Sequence, residues 1–173
     1  SLEGLKSSID INDSDIEEEY QRYADEFDTK ERKAVSHIML NINSNRTKQD
    51  AISVLEATKS RLAAGEDFIA LVEEISEDEG TSESGGDLGV TDGTLLPTEF
   101  EEALSSMTEG EVSEPIELNT SVHLIKLTQR EIPAPKPIEE MQVQIKKTLI
   151  EESAFAAYNI LLDKSSDLVF NMG

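Results

Sequence analysis

The sequence predicts an α+β protein in which helices surround a small antiparallel sheet. Residues 32–40 gather β-branched and large apolar side chains around one histidine, which is typical of a buried strand. Residues 112–118 and 121–128 are two further apolar runs separated by a short polar turn, which predicts a hairpin. Between these strands, residues 47–64 carry apolar side chains at helical spacing and end at Gly65, so they predict an amphipathic helix.

Shorter segments complete the predicted central domain. Residues 67–75 restart a helix, and residues 98–104 predict another with Thr98 as its N-cap. Residues 76–93 are rich in serine, acidic residues and glycine, but apolar residues recur among them, so we expect a structured loop rather than disorder. Pro115 lacks a backbone donor, which makes the strand around it an edge or bulged strand.

Two amphipathic helices flank this domain. Asn12 and the acidic residues after it predict a helix over residues 13–28, and residues 138–163 form a long second helix. We expect these helices to pack together as a helical annex, because each has an apolar face that needs a partner. The proline-rich segment 132–137 is a stiff spacer between them and the sheet. The predicted domains are residues 1–31, 32–131 and 132–173.

Strong negative charge restricts the partners of the chain. Its 173 residues include 37 Asp and Glu against 15 Lys and Arg, which gives a formal charge of −22. Such a surface repels nucleic acid, and phosphopeptides or anionic membranes need clustered Arg or Lys. We therefore expect no nucleic-acid partner and no membrane contact by this chain. A heavily solvated surface from an acidic or salt-adapted proteome is the plainer interpretation of the same composition.

The chain has no cysteine, which excludes disulfides, zinc–thiolate sites and thiol nucleophiles. No run approaches the ~20 apolar residues that cross a bilayer, and the N-terminus lacks the layout of a signal peptide. The chain starts at Ser1 rather than Met. Either the protein is cytosolic, or an anchor or signal segment lies outside this sequence. The start fits a piece of a longer protein, and N-terminal processing would give the same start.

Seven short motifs occur in an order that points to one family. They are Ser36-His37-Ile38, Gly65-Glu66-Asp67-Phe68, Ser76-Glu77-Asp78, Gly85-Gly86-Asp87-Leu88-Gly89, Phe100-Glu101-Glu102-Ala103-Leu104, Gly110-Glu111-Val112-Ser113 and His123-Leu124-Ile125. With them, residues 33–130 resemble the parvulin family of peptidyl-prolyl isomerases. The resemblance implies a four-stranded antiparallel sheet surrounded by helices, and catalysis of cis–trans exchange at X-Pro bonds. It implies unfolded or nascent polypeptides as partners and no cofactor.

The flanking segments are similar to those that bracket the parvulin domain in PpiD-type periplasmic chaperones. The similar parts are residues 16–32 and the helix after Pro137. SurA-like and PrsA-like folding factors share the same general plan. This resemblance implies a folding factor for envelope proteins in the periplasm, with the parent protein anchored to the inner membrane.

The family resemblance assigns roles to six residues. His37 and His123 would pair on adjacent central strands, with Asp78 at the position of the family's catalytic Cys or Asp. Three apolar residues would line the proline pocket: Leu88, Leu95 and Phe100. Taken alone, a strand histidine is usually a buried core residue, a loop carboxylate is usually solvated, and the apolar residues could be ordinary core. Two histidines without a third matched ligand predict no metal site.

The sequence departs from the family pattern at positions that bear on whether the domain is catalytically active. Leu95 stands where the family commonly has Met, which is a swap of similar volume. Leu118 and Ser121 stand where the family favours Thr and then Gly, so we expect the histidine network to lack one hydroxyl. One hypothesis is therefore an active isomerase, and the alternative is a catalytically weak or inactive parvulin that binds clients. Self-association through the flanking helices is a third hypothesis.

Overall fold

Four antiparallel strands form the sheet in the central part of the chain. In a computed structural model that describes residues 1–171, they are β1 (Arg32–Asn41), β2 (Asp87–Thr91), β3 (Ile116–Glu117) and β4 (Ser121–Glu131). Their order is β2-β1-β4-β3, which places the two longest strands at the centre. The predicted α+β class with a four-stranded antiparallel sheet is confirmed.

One of these strands lies where the residue pattern predicts a loop. β2 falls within residues 76–93, after a short 3₁₀ turn at Ser82–Ser84. Most of its side chains are exposed, and its pairing with β1 shifts at a bulge between Val35 and Ser36. Exposure, the bulge and the internal Gly89 remove the alternating apolar pattern that marks a strand. The prediction of a loop over these five residues is therefore wrong.

The last hairpin differs in length from the prediction on both sides. β3 covers only the last part of the predicted strand 112–118, and Val112 forms an isolated bridge to Lys126. Pro115 cannot donate to the ladder, which limits regular pairing there. β4 continues to Glu131, because its end pairs with the start of β1.

The two central strands build a core on each face of the sheet, because successive side chains point to opposite faces. One core joins α3 (Lys48–Ala63) and α4 (Phe68–Ile75) to the strand residues Ile38, Leu40, Val122 and Leu124. The other joins α5 (Thr98–Leu104) to the strand residues Val35, Ile125 and Leu127. His37 and His123 alternate with the first set, so both histidines lie on the face beside α5.

Helix starts show the expected side-chain capping at α3 and α4 but not at α5. Thr47 and Asp50 form a capping box at the start of α3, each side chain accepting from the other residue's backbone amide. The Asp67 side chain accepts from the Ala70 amide and caps α4. α5 has no side-chain cap, because Pro97 is its N-cap and Thr98 is already helical. The prediction that Thr98 caps this helix is therefore wrong.

Residues 1–29 and 134–171 form a second compact unit. It contains α1 (Leu2–Ser8), α2 (Asp13–Glu26) and α6 (Ile138–Asn171), and the two shorter helices pack against α6. The predicted helical annex is confirmed. α1 was not predicted, because a helix of seven residues is too short to establish a period. α6 continues beyond the predicted end because no Gly or Pro interrupts residues 138–171.

Gly86 lets the glycine loop approach β1 closely. Its backbone has φ 75°, and its carbonyl accepts from the His37 amide at 2.9 Å. A Cβ added at Gly86 would collide with the backbone carbonyl of His37. Gly89 has a similar φ of 84°, but a Cβ there would meet nothing within 4 Å. An alanine at Gly89 would therefore introduce backbone strain alone, whereas an alanine at Gly86 would add a steric collision.

We predict that Gly86→Ala destabilises the protein much more than Gly89→Ala. The strain of a positive φ is common to both and costs about 1–2 kcal/mol. The collision with β1 should raise the loss for Gly86→Ala above about 3 kcal/mol. Urea unfolding followed by far-ultraviolet circular dichroism measures both losses. Equal losses would contradict the close approach of Gly86 to His37.

Candidate functional site

Two buried histidines meet on the face of the sheet beside α5. His37 from β1 and His123 from β4 are each 4% exposed, and their Nδ1 atoms lie 3.0 Å apart. The strand register sets His37 opposite Ile125 and His123 opposite Met39, so the two rings are diagonal neighbours on one face. The ring planes are nearly parallel, with an interplanar angle of 17° and centroids 5.1 Å apart, so the rings meet edge to edge. The predicted histidine pair is therefore in direct hydrogen-bond contact.

Asp78 completes one end of the network. Its Oδ2 lies 2.7 Å from Nε2 of His37 and accepts a hydrogen bond of 2.7 Å from the Thr81 hydroxyl. The Gly80 amide donates to the other carboxylate oxygen at 3.3 Å. Asp78 is thus held by three donors in a half-buried position, unlike a solvated loop carboxylate. The sequence prediction did not include Thr81, whose hydroxyl also lies 3.3 Å from Nε2 of His37.

Ser121 completes the other end of the network. Its hydroxyl lies 2.7 Å from Nε2 of His123, and the side chain is buried. Ser121 precedes His123 by two residues on β4, so both side chains point to the same face. The expectation that the network lacks a hydroxyl is therefore wrong, because Ser121 supplies one. Alternation along the strand is the sequence signal that could have identified this contact.

The four side chains fix one direction for the protons between them. An ionised carboxylate only accepts, so His37 donates from Nε2 to Asp78. Nδ1 of His37 then accepts from Nδ1–H of His123, and Nε2 of His123 accepts from the Ser121 hydroxyl. One proton on each ring satisfies every contact from serine to aspartate. The proton positions follow from this hydrogen-bond network.

The electrostatics of the network agree with this direction. Burial lowers the pKa of His123 to about 4, and the neighbouring His37 acts in the same direction while Asp78 opposes it. The hydrogen bond from Thr81 lowers the pKa of Asp78, with a further contribution from His37, while burial acts against both. The site therefore holds an uncharged His123 and an ionised Asp78 at neutral pH.

Residues 76–86 are held against β1 at both ends. The Met39 amide donates to the Ser76 hydroxyl at 3.1 Å, and the Glu77 amide donates to the Met39 carbonyl at 2.8 Å. At the other end, Gly86 accepts from His37 as described above. Because both ends are fixed to the strand that carries His37, the loop holds Asp78 within reach of the imidazole.

Apolar residues border the histidine pair. The Phe100 ring packs edge to face on His123, with centroids 4.9 Å apart, and Phe100 is 2% exposed. Leu88 is partly buried against the same cluster, so the structure brings together two of the three predicted pocket residues. Leu95 is 69% exposed, whereas its neighbour Leu96 packs against the Phe100 cluster. The sequence prediction did not include Leu96, because two adjacent leucines cannot be distinguished without the backbone direction.

A protein-family comparison matches this part of the chain. The family described as rotamase, PPIC-type peptidyl-prolyl isomerase domain, matches residues 37–129 and thus begins at His37 and includes the whole histidine network. The chain belongs to the PPIC-type isomerase family. The predicted parvulin resemblance is confirmed.

Relatives of this PPIC-type chain are named as chaperones. It is 28% identical over 166 residues to the periplasmic chaperone PpiD of Haemophilus ducreyi, covering 96% of this chain and 25% of that protein. It is 38% identical over 97 residues to the chaperone SurA of Chromohalobacter salexigens, covering 56% of this chain and 22% of that protein. The chain therefore spans about a quarter of the length of these relatives.

A solved SurA-like chaperone of Campylobacter jejuni has the same fold. The TM-score is 0.70 at 22% identity, covering 98% of this chain and 66% of that chain. This likeness extends over both the PPIC-type domain and the helical unit. Within residues 1–171, no helix has the length and apolar character needed to span a membrane. In the same residues, no group of three or more His, Asp or Glu side chains is arranged to hold a metal ion.

We predict that His123 resists protonation. In the unfolded chain its imidazole has the ordinary pKa of about 6.5, whereas the folded value is about 4. The unfolded state therefore binds the proton first, and the free energy of unfolding falls by about 3 kcal/mol from this group as the pH drops from 6.5 to 4. Assigned imidazole resonances followed by NMR across this range measure the folded value. A midpoint for His123 near 6.5 would contradict the buried, neutral ring.

Proposed function

We propose that residues 32–131 catalyse cis–trans exchange at X-Pro bonds of unfolded or nascent envelope polypeptides. The observation that carries this proposal is the continuous hydrogen-bond network of Ser121, His123, His37 and Asp78 beside the apolar Phe100. Such a network holds polar side chains rigidly at the edge of an apolar surface. Membership in the PPIC-type family supports the same reaction.

The reaction needs no covalent step by the protein. The barrier of about 18–20 kcal/mol reflects lost amide resonance, and no bond to the substrate has to form or break. The planar amide is more dipolar than the twisted one, so an apolar site raises the energy of the planar state relative to the twisted state. A cation at the carbonyl oxygen would stabilise the planar form instead. An uncharged His123 avoids this effect.

We propose distinct roles for the three predicted apolar residues. Leu88 and Phe100 would seat the pyrrolidine ring, since both belong to the cluster beside His123. Leu95, being largely exposed, would contact the substrate residue next to the proline. The buried histidines, together with Asp78, would act by positioning and polarity, since proton transfer is not required for rotation about the amide bond.

The parent protein's setting is also a proposal. We propose a periplasmic location with an inner-membrane anchor outside this chain, supported by its likeness to a relative named periplasmic chaperone. In this proposal residues 1–31 and 132–173 serve as a helical module attached to the isomerase domain. That module would also be the surface for self-association.

A second candidate function is client binding without turnover. A groove of about 380 Å³ in the helical unit is lined by apolar side chains that include Leu5, Tyr158, Leu161 and Leu162. Phe155 on α6 is 59% exposed. Exposed apolar surface of this kind suits extended, unfolded chains. Binding here would not require the histidine network.

We predict that Asp78→Asn lowers kcat/KM for an uncharged X-Pro peptide by about tenfold or more. The amide presents a donor or a weaker acceptor to His37 and disturbs the proton order of the network. Glu79→Gln is the matched control, because this neighbouring carboxylate is exposed and should leave turnover of an uncharged peptide unchanged. NMR exchange spectroscopy measures both rates.

NMR spectra of the protein in the same samples distinguish the two candidate functions. An inactive wild type whose helical-unit resonances shift with aromatic-rich peptides would support client binding alone. Equal rates for wild type and Asp78→Asn would remove Asp78 from the mechanism.

A further inference from the structure

The negative charge of the chain is concentrated in the stretch of sequence that carries most of the candidate site. Residues 62–125 contain 17 Asp and Glu and no Lys or Arg. The other residues hold 20 acidic and 15 basic side chains, so these 64 residues carry −17 of the net −22. Five of the six predicted site residues lie in this segment. A generally acidic proteome would spread its excess charge along the chain, whereas here the excess falls in the segment that carries most of the site.

Four exposed carboxylates lie within two residues of site side chains. They are Glu79 beside Asp78, Glu83 near Thr81, Asp87 beside Leu88, and Glu99 beside Phe100. Within residues 1–171, none of these four forms an ion pair with a lysine or arginine. Their charge is therefore left to act on whatever approaches the site.

Other carboxylates of residues 62–125 form ion pairs. Five are paired with bases from residues 46–61: Glu66, Glu74, Glu77, Glu114 and Glu117. These bases lie on α3 or just before it, and α3 covers the sheet face opposite the histidines. The bases of these five ion pairs thus lie on or next to the helix of the opposite sheet face. On the histidine face Lys33 donates to the Leu104 carbonyl of α5, whereas the four carboxylates beside the site have no lysine or arginine partner in the part of the chain that the structure describes.

We infer that this site selects X-Pro segments flanked by lysine or arginine, an inference that rests on the proposed isomerase function. Unpaired carboxylates beside the apolar residues of the proposed site raise the local concentration of cationic segments and repel anionic ones. The contacts are long-range and solvent-exposed, so they act on capture of the peptide and are screened by salt. Basic residues next to proline are therefore favoured, and acidic or phosphorylated ones are disfavoured.

Three peptides test this substrate class. They share the sequence Ala-Pro-Phe and differ only in flanking residues, which are Lys, Gln or Glu. At low ionic strength kcat/KM for the Lys peptide should exceed that for the Glu peptide by about tenfold. At about 0.5 M salt the ratio should fall below about twofold, since the Debye length is then a few ångströms. Equal values for the two charged peptides at low salt would overturn the inference.

A matched pair of triple variants locates the effect. Glu79→Gln/Glu83→Gln/Asp87→Asn removes three carboxylates beside the site, and the Lys-to-Glu peptide ratio should drop to about threefold or less. If the ratio stays at its wild-type value, the carboxylates around the site do not select the peptide.

The control variant changes net charge equally at exposed positions of the same unit, Glu56→Gln/Glu73→Gln/Glu131→Gln. It should keep the wild-type ratio. An equal drop in both variants would mean that net charge, not its placement, sets the preference.

The uncharged Gln peptide keeps the two proposals separate. If it is not isomerised, the proposed function fails, and charge selection is read from dissociation constants in chemical-shift titrations. Tighter binding of the Lys peptide by about tenfold would then sustain the preference, and equal constants would overturn it.

Discussion

The hydrogen bond between the two imidazoles is the interaction on which the rest of the site depends. Two polar rings are buried between a sheet and a helix, where an unpaired ring nitrogen would cost about 1–3 kcal/mol. With Nδ1 bonded to Nδ1 at 3.0 Å, each ring still needs a partner at Nε2. Asp78 and Ser121 meet these two needs. The hydrogen-bond network thus begins at the Ser121 hydroxyl, which donates, and ends at the Asp78 carboxylate, which accepts.

The surrounding fold holds the two ends of this hydrogen-bond network in place. β1 and β4 must be neighbours in one register for the rings to meet, and the loop of residues 76–86 must return to β1 for Asp78 to reach His37. Gly86 permits that return where a side chain would collide. The Phe100 ring packs edge to face on His123 and forms the apolar border of the network. A rigid polar network bordered by apolar side chains is the result.

Sequence patterns anticipated the central part of this arrangement and missed its edges. His37 and His123 were identifiable because both lie in apolar strands within ordered motifs, and the flanking helices because their apolar faces need partners. β2 was missed for two reasons. A bulge and a glycine break the alternation of apolar and polar residues, and the strand has few apolar residues because most of its positions are exposed. Ser121 could have been identified from alternation along β4, which places it on the same face as His123. Leu96 could not be distinguished from Leu95 without the direction of the backbone.

The order of the protons is the central claim, and nitrogen chemical shifts of the two imidazoles test it most directly. Long-range ¹H–¹⁵N correlation at neutral pH distinguishes a protonated ring nitrogen from an unprotonated one. The network requires protons on Nε2 of His37 and Nδ1 of His123, with the other nitrogen of each ring bare. A proton on Nε2 of His123 with a bare Nε2 on His37 would contradict it.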